Sequence, residues 1–359
     1  MRICSFSIVK NESDIIEAFC RHNVKYVDRM YILDNMSSDA TPAIIKELIK
    51  EGLPIRLMHD KSASFNQGGK TTRFYRKIER RRKFDVVFLI DSDEFIHYPT
   101  RDVLVGRPGD VFSIKRFRHV MPEVAEVLGV TSDKSGELPV RRMRLRMIKP
   151  ENSKRVLFCG EPKTRRLRIG TGNHNVSIDY VRLSRTFLPG VCLHHYPIRS
   201  REQFIQKNVG GVIAQDLYSY KRKSVGTHWR RHYEFMMSKR FEFTDSEMIS
   251  HIYKTANPAS LAKKVVEDDL GFDFDLKYAH LIEGPSPLYA MLRSYERTVV
   301  SYWELKNEIA ALKAGCLQNS GRQIDSAGST QNDAERLVAD EIAPMESVAE
   351  QGTYAAART

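Results

Sequence analysis

The chain has 359 residues, of which 42% are hydrophobic and 28% charged, and it carries a formal net charge of +12 at pH 7. This length and composition indicate a soluble protein with a main domain, an appendage and an ample core. No apolar run approaches the ~20 residues of a membrane-spanning helix, so an integral membrane protein is excluded. The positive surplus indicates acidic partners, and nucleic acid, anionic lipid and phosphorylated small molecules all meet that condition.

The N-terminal residues are typical of a first β-strand, because they lack the long apolar region and the cleavage site of a secretion signal. We therefore expect a cytoplasmic protein. Five cysteines, odd in number and widely scattered, favour reduced and mostly buried thiols over disulfides or a zinc site.

The first part of the chain alternates short apolar segments with stretches of helical periodicity. Strands are predicted over residues 3–9, 29–33, 55–58 and 86–90, with an amphipathic helix in each interval. The second helix is predicted to begin with Thr41 as its cap residue, directly before Pro42. The short connections predict a parallel sheet flanked by helices. Neither a dinucleotide-binding glycine fingerprint nor a P-loop motif follows any of these strands.

The last of these strands runs into three carboxylates within four positions, at Asp91, Asp93 and Glu94. In open α/β sheets, ligands bind beyond the carboxyl ends of the strands, and Mg²⁺ is usually held there by one or two carboxylates plus substrate phosphates. If strand geometry continued, Asp91 and Asp93 would point the same way and face one ion. The alternative interpretation is a polar loop in which Asp91 caps a helix.

Polar residues also follow the first two strands, at Asn11 and Glu12 and at Asp34 and Asn35. Each has a structural interpretation, because Glu12 suits a helix start and Asp34 suits a turn rich in Asn and Ser. Together with the carboxylates after the fourth strand, however, they fall on one edge of one sheet. This coincidence favours a shared nucleotide site.

Beyond residue 100 we predict strands at 111–115, 156–159 and 191–194, and helices that begin with capping boxes at Ser200 and Thr244. A long helix at 287–314 either packs on the body or mediates a homodimer. The polar segment 316–359 is expected to be disordered. The predicted organisation is therefore a main domain at 1–200, a helical region at 201–315 and a disordered tail.

Three motifs carry a resemblance to a known family: Val-Lys-Asn-Glu at 9–12, Asp-Asn-x-Ser-x-Asp at 34–39 and Asp-Ser-Asp-Glu-Phe at 91–95. In this order the chain resembles the opening half of family 2 glycosyltransferases with the GT-A fold. More narrowly, it is similar to the bacterial branch related to family 92, in which Asp-x-Asp-Glu-Phe and a later His-Tyr recur. The resemblance implies an α/β GT-A catalytic domain with a Rossmann-like, mostly parallel sheet and a C-terminal helical extension.

The resemblance also implies an activity, a cofactor and roles for particular residues. The activity would be transfer of a sugar from a nucleotide-sugar donor, expected to be a UDP-sugar, to a glycan, lipid-linked or other hydroxyl acceptor. Asp93 would bind a divalent metal, Mn²⁺ or Mg²⁺, with Asp91 on the ribose or the metal. His195 would complete the metal shell, with His194 as its competitor, since neighbours on a strand face opposite ways. The implied nucleotide-binding residues are Val9, Asn11, Glu12, Asp34, Asn35 and Asp91. Apart from the resemblance, the negative charge on a leaving nucleoside diphosphate would suit nearby basic groups, and Lys70 and Arg73 at the start of the third helix are the candidates. The alternative interpretation of these two residues is a solvated basic helix face.

An inverting transferase also needs a general base for the acceptor hydroxyl. The Glu-Asp motif that fills this role in family 2 is missing, so Glu123 is the candidate, with Glu161 behind it. The Gln-x-x-Arg-Trp motif of processive synthases is missing as well, which favours transfer of single sugars. The basic surface would suit peripheral association with anionic lipid at the inner face of the membrane.

Two other functions remain as alternatives. The positive surplus and the basic run at 80–83 suit a nucleic-acid-binding protein, although no zinc-finger spacing, RNP motif or basic zipper accompanies them, so nucleic acid is not the expected partner. A metal-dependent nucleotidyltransferase or phosphohydrolase would use the same carboxylates on the same metal. The pair Asp34 and Asn35 beside a base pocket suits a sugar-nucleotide donor better.

Overall fold

The computed structural model describes residues 1–60, 67–79, 84–129, 138–152, 155–159, 167–179, 181–218, 227–268, 270, 272, 274–282, 293, 295–296, 299–300 and 306–312. Within these ranges the strands are β1 (Ile3–Val9), β2 (Arg29–Asp34), β3 (Ile55–His59), β4 (Val86–Leu89), β5 (Glu94–His97), β6 (Val111–Arg118), β7 (Leu145–Met147), β8 (Arg155–Cys159), β9 (Leu167–Ile169), β10 (Val176–Ile178), β11 (Val181–Arg182), β12 (Thr186–His195) and β13 (Val265–Glu267). The α-helices are α1 (Ile16–Asn23), α2 (Thr41–Lys50), α3 (Gln67–Glu79), α4 (Pro122–Val127), α5 (Pro139–Arg142), α6 (Arg201–Tyr218), α7 (Thr227–Ser238) and α8 (Asp245–Tyr253).

The main sheet has eight strands in the order β3-β2-β1-β4-β8-β6-β12-β5. The first four run parallel to one another, as do β6 and β12, whereas β8 and β5 are antiparallel to their neighbours. Helices α1, α2 and α3 connect the four parallel strands. The prediction of a mostly parallel α/β sheet flanked by helices is confirmed.

Strand β4 is buried on both faces, as its apolar run predicts. Val86 and Phe88 belong to the core beneath α1 and α2, whereas Val87 and Leu89 belong to the core beneath α3. All four side chains are at most 1% exposed. Full burial of such side chains contributes about 1.5–3 kcal/mol each, so the strand before the carboxylate loop is firmly anchored.

The helices after residue 200 build a third apolar cluster, which includes Phe204, Met236 and Ile249 and also Met121 from α4. Further along, β13 pairs with β7, and the backbone N–H groups of residues 277 and 278 each donate to the Glu17 carboxylate at 2.9 Å. The chain beyond residue 200 is therefore joined to the main sheet by several elements. Among the described residues, no helix is long and apolar enough to cross a bilayer.

Two of the predicted helix starts differ in detail from the structure. Helix α2 begins without a side-chain cap, and the Thr41 hydroxyl instead accepts the backbone N–H of Glu12 at 2.8 Å, so the predicted cap is wrong. At the start of α6, Ser200 Oγ accepts the N–H of Gln203, but the reciprocal bond is absent because Gln203 Oε1 accepts the N–H of Arg199. Only the Thr244 capping box is complete.

Several predictions fall outside the described residues. These are the basic run at 80–83, Glu161, the tail at 316–359 and most of the helix at 287–314. Self-association through that helix stays a prediction.

Candidate metal and nucleotide site

The carboxylate loop lies between β4, which ends at Leu89, and β5, which begins at Glu94. Because strand geometry stops before the loop, the side chains of Asp91 and Asp93 do not point to one place. Asp91 pairs with the buried Arg155, whereas Asp93 contacts Lys207. The condition of a continuing strand is therefore not met, and a metal role for Asp91 stays a prediction.

Asp93 is almost fully buried, with only 3% of its surface exposed. Its Oδ2 accepts a hydrogen bond from Lys207 Nζ at 2.6 Å. Its Oδ1 is buried, accepts no hydrogen bond from a described residue and lies 3.5 Å from His195 Nε2. Burial opposes ionisation of the group, yet the Lys207 ammonium and then His195 hold the pKa of Asp93 well below its usual range.

His195 reaches Asp93 because β12 pairs antiparallel with β5 and places His195 directly opposite Glu94. The other ring nitrogen, Nδ1, lies 2.9 Å from Glu151 Oε2. A carboxylate only accepts hydrogen bonds, so Nδ1 carries a proton, and a bound metal would take the Nε2 position that faces Asp93. A carboxylate behind a histidine in this way is the usual outer-shell support of a metal ligand.

His194 faces the opposite side of β12. Its Nδ1 lies 3.0 Å from Nε2 of His119, and its Nε2 lies 3.9 Å from Cys192 Sγ. Burial lowers the pKa of His119 to about 4. Of the two adjacent histidines, the structure therefore places His195 beside the carboxylate loop and His194 in the interior.

Asp93, Glu94 and His195 form the one group of potential metal ligands found within the described part of the chain, with ligand atoms within 4.8 Å of one another. Glu94 is already saturated, since its Oε1 accepts from Arg116 at 2.7 Å and from Arg155 at 2.6 Å, and its Oε2 accepts the Asp91 N–H at 3.0 Å. Asp93 Oδ1 and His195 Nε2 are the open pair. Oxygen and imidazole donors suit Mn²⁺ or Mg²⁺, so the residues present fit a divalent cation.

The predicted nucleotide residues Asn11 and Asp34 tie together the loops after β1 and β2. Asn11 has a positive φ of 54°, and its Oδ1 accepts the N–H of Ser38 at 2.7 Å. Asp34 Oδ1 accepts the N–H of Ser37 at 3.2 Å, and its Oδ2 lies 3.3 Å from His59 Nδ1. The turn chemistry predicted for these residues is present, and it brings the two strand ends to one edge.

Lys70 extends this edge from the first turn of α3. Its Nζ lies 2.8 Å from Asn35 Oδ1 and 2.7 Å from Asp60 Oδ2. Burial, and then the nearby Lys70 ammonium, lower the pKa of Lys10 to about 8. Two ammonium groups thus share the carboxyl ends of β1 and β2, where an anionic ligand would relieve their mutual repulsion.

Glu12 and Val9 are integrated into the scaffold of this edge. Glu12 Oε2 accepts from the fully buried Arg199 at 2.5 Å, and Arg199 also pairs with Asp14 at 2.6 Å. Val9 is 1% exposed, and its carbonyl accepts the N–H of Asn35 at 2.8 Å. Arg199 follows β12, so this ion cluster joins the ends of β1 and β12. The nucleoside contacts predicted for Glu12 and Val9 stay predictions.

Glu123, the predicted base, lies in the first turn of α4, next to the helices that follow residue 200. Its Oε2 is buried and accepts no hydrogen bond from a described residue, and burial raises its pKa. Among the described residues, no hydrogen bond or ion pair joins Glu123 to Asp93 or His195. Its catalytic role stays a prediction.

Four partners of the site were missed from the sequence. Glu151, Arg155, Arg199 and Lys207 are common charged residues in unremarkable contexts, and they meet the carboxylate loop only through the fold. The pairing of β12 with β5 brings Glu151's partner His195 to the loop, and α6 brings Lys207. The one feature of the sequence that could have pointed to a site residue is a position just after a buried strand. Arg199 has such a position, but so do its neighbours, so it could not be singled out.

Comparison with known proteins gives structural likenesses only, since no family model and no curated protein matches the chain. A mannosyltransferase from Pyrobaculum calidifontis in complex with GDP-Man and Mn²⁺ is 11% identical, with a TM-score of 0.30 over 83% of this chain and 87% of that one. Glucosyl-3-phosphoglycerate synthase from Mycobacterium tuberculosis, in complex with Mn²⁺, UDP and glucosyl-3-phosphoglycerate, is 20% identical, with a TM-score of 0.22 over 36% of this chain and 47% of that one. A mycobacterial protein is 12% identical, with a TM-score of 0.29 over 59% and 74%. These values are below those at which a structural likeness indicates a shared function, so the function is argued from the site.

Proposed function

We propose that the protein is a metal-dependent glycosyltransferase that moves a sugar from a nucleotide-sugar, expected to be a UDP-sugar, to a glycan, lipid-linked or other hydroxyl acceptor. The observation that carries this proposal is the open pair formed by Asp93 Oδ1 and His195 Nε2. A buried carboxylate oxygen without a hydrogen-bond partner is costly, and a cation at this place would compensate it. The ordered motifs at 9–12, 34–39 and 91–95 support a sugar-nucleotide donor.

The open pair would hold the metal, with Glu94 and Glu151 behind it. A bound divalent ion would supply a Lewis acid for the negative charge that develops on the leaving nucleoside diphosphate. Glu151 holds a proton of His195 on Nδ1, so that Nε2 would be the ring nitrogen offered to the ion. Arg116 and Arg155 fix Glu94 and thereby fix the backbone of the loop that presents Asp93.

Lys207 adds a fixed positive charge to the same place, 2.6 Å from Asp93 Oδ2. A preorganised cation at the position where charge develops stabilises a transition state without a reorganisation cost. Lys10 and Lys70 provide a second cationic pair at the ends of β1 and β2, suited to the nucleotide part of the donor. Asp34, at the same edge, is the proposed acceptor of a hydrogen bond from the base or the ribose.

Glu123 is the proposed general base. A carboxyl group whose pKa is raised by burial is a better proton acceptor than an ordinary one, because its pKa approaches the working pH. Its Oε2 has no hydrogen-bond partner in the described part of the chain and would accept the proton of an acceptor hydroxyl.

A donor screen tests this proposal. Purified protein with Mn²⁺ is incubated with a panel of UDP- and GDP-sugars, and released nucleoside diphosphate is measured with the wild type and with Asp93→Ala. Slow hydrolysis of one donor that requires Mn²⁺ and Asp93 supports a glycosyltransferase. Release of pyrophosphate from nucleoside triphosphates, with every sugar nucleotide left intact, would contradict it and favour a nucleotidyltransferase.

A further inference from the structure

A groove of about 930 Å³ runs between α3 and β9, apart from the open pair at Asp93. We call it the basic groove, because its charged lining residues are all cations: Arg73, Arg76, Lys77 and Arg168. No carboxylate is found among the described residues that line it. Four cations around one groove make it a place that attracts anions.

The walls of the basic groove are held close by specific contacts. Thr72 Oγ1 donates to the Gly68 carbonyl at 2.7 Å and accepts the N–H of Ile169 at 2.9 Å. Arg76 donates to the Leu167 carbonyl at 2.9 Å. A Cβ atom on Gly68 would lie 2.8 Å from the Ile169 carbonyl oxygen, so only glycine allows this approach of helix and strand. The groove is therefore a built feature of the fold.

Its charge favours an anionic ligand. Arg73 and Lys77 lie four residues apart on α3 and both are exposed, an arrangement in which like charges repel each other. Arg76 hydrogen-bonds a neutral carbonyl and so keeps its full charge in the groove. Arg73 also lies near enough to Lys70 to help burial in lowering the pKa of that lysine. A bound anion would offset the repulsion of Arg73 with Lys77 and with Lys70.

We propose that the basic groove binds the phosphate groups of a phosphorylated small molecule. Guanidinium groups match phosphate oxygens in geometry as well as in charge. The cavity volume lies in the range of small-molecule sites, ~300–1,000 Å³. No aromatic side chain lines the groove among the described residues, which disfavours stacking of nucleic-acid bases. Its one large apolar residue, Ile169, is 3% exposed, so the groove offers no surface for insertion into lipid.

The first residue of α3, Gln67, links the basic groove to the carboxylate loop by hydrogen bonds. Gln67 Nε2 donates to Asp91 Oδ1 at 3.1 Å, and Gln67 Oε1 accepts the N–H of Gly172 at 3.0 Å. The residue before Gly172, Thr171, lines the groove. If the proposed function holds, the donor is bound by the open pair and by Lys207, Lys10 and Lys70. The phosphorylated ligand of the basic groove is then the acceptor.

The test measures binding of inorganic pyrophosphate to the full chain by calorimetry in EDTA, which removes any metal contribution. The double variant R73Q/K77Q should bind about five- to tenfold more weakly, as expected for loss of two partly solvated ion pairs. Its matched control is K46Q/K50Q, which removes two exposed lysines four residues apart on α2 and should change affinity by less than about twofold. Equal weakening by both pairs would overturn the proposal. Arg168→Gln, on the opposite wall, should weaken binding in its own right and covers the case that the double variant fails to fold.

Two further arms separate the possible ligands and the two proposals. Vesicles of phosphatidylglycerol, or a random DNA duplex, that bind through Arg73 and Lys77 while pyrophosphate does not would overturn the small-molecule assignment. Asp93→Ala should keep pyrophosphate binding in EDTA, whereas R73Q/K77Q should keep Mn²⁺ binding in the absence of nucleotide. Failure of Mn²⁺ binding in the wild type would contradict the proposed function alone. Equal pyrophosphate affinity of R73Q/K77Q and K46Q/K50Q would contradict the proposal for the basic groove and leave the proposed function untouched.

Discussion

Lys207 Nζ lies 2.6 Å from Asp93 Oδ2, although the two residues are 114 positions apart in the chain. Helix α6 thus places a cation on one oxygen of a buried carboxylate and leaves the other oxygen beside His195. One oxygen is thus paired with the protein's own charge, and the other is the one proposed to bind a metal.

Replacing Lys207 separates these two roles. Lys207→Met should lower the free energy of unfolding without metal by about 1–3 kcal/mol, because Asp93 loses its partner in a buried position. It should also tighten Mn²⁺ binding, since a competing cation is removed, while slowing transfer, since a charge at the leaving group is lost. Urea titration checks the free energy of unfolding, Mn²⁺ calorimetry checks the affinity for the metal, and a turnover assay checks the rate of transfer.

The matched control is Lys239→Met. Lys239 pairs with Glu247 at 2.6 Å, but both side chains are about 40% exposed, so the loss should stay below about 1 kcal/mol. Weaker Mn²⁺ binding in Lys207→Met would show that the lysine supports the metal site instead of competing with it.

The two adjacent histidines should behave differently. His195→Ala should lose Mn²⁺ binding, because Nε2 of His195 is one half of the open pair. His194→Ala should keep Mn²⁺ binding and lose stability instead, because His194 is buried against His119. Electron paramagnetic resonance of Mn²⁺ checks metal binding in both variants, and thermal unfolding checks their stability. The reverse result would place the metal on the other face of β12.

Stability should fall on acidification because His119 is held neutral. Burial lowers its pKa to about 4 from an ordinary value of about 6.5, so the unfolded chain binds a proton that the folded chain refuses. The sign follows directly: the folded state loses stability as the pH falls from about 6.5 to 4, by about 3 kcal/mol from this residue. The free energy of unfolding at pH 7, 5.5 and 4.5 checks it.

His119→Gln removes the titratable side chain. It should flatten the dependence of the free energy of unfolding on pH between about 6.5 and 4, and it should lower the stability at pH 7. The exposed His280→Gln serves as the control and should leave the profile unchanged. An identical slope in His119→Gln and the wild type would assign the acid sensitivity to other groups.

Glu123→Gln tests the proposed base. Loss of general-base catalysis should reduce the turnover of sugar transfer by about 10²–10⁴-fold, with UDP affinity unchanged. Glu126→Gln is the matched control, because Glu126 lies on the same short helix and pairs with Arg142 at its exposed surface. Turnover within about twofold of wild type in Glu123→Gln would send the search for the base to another residue.

The parallel half of the sheet was predictable because local pattern decides it. The strand at Val86–Leu89 is a continuous apolar run and the strand at Ile3–Val9 is interrupted only by Ser5 and Ser7, and burial on both sheet faces is what such runs favour. Strand β5 (Glu94–His97) was not predicted, because it begins inside the carboxylate motif and pairs with a strand near residue 190. Its apolar residues are too few to reveal it alone.

The candidate site was predictable only as far as strand ends mark it. Asp93 and His195 were chosen from the sequence, and the fold brings them together. The expected continuation of the strand through Asp91 and Asp93 is not observed, and Asp91 pairs with Arg155, 64 residues away. Which of many arginines or glutamates meets a given carboxylate depends on tertiary packing, and a charged residue carries no local sign of its distant partner.

Calorimetric titration of UDP into the protein, with and without Mn²⁺, tests the metal-dependent nucleotide site most directly when repeated with Asp93→Ala. Asp102→Ala, an exposed aspartate in a short 3-10 helix, controls for the loss of one carboxylate. We expect Mn²⁺ to strengthen UDP binding in the wild type and in Asp102→Ala, and to have no effect in Asp93→Ala. UDP binding that needs no metal, or that survives unchanged in Asp93→Ala, would contradict the proposed glycosyltransferase site.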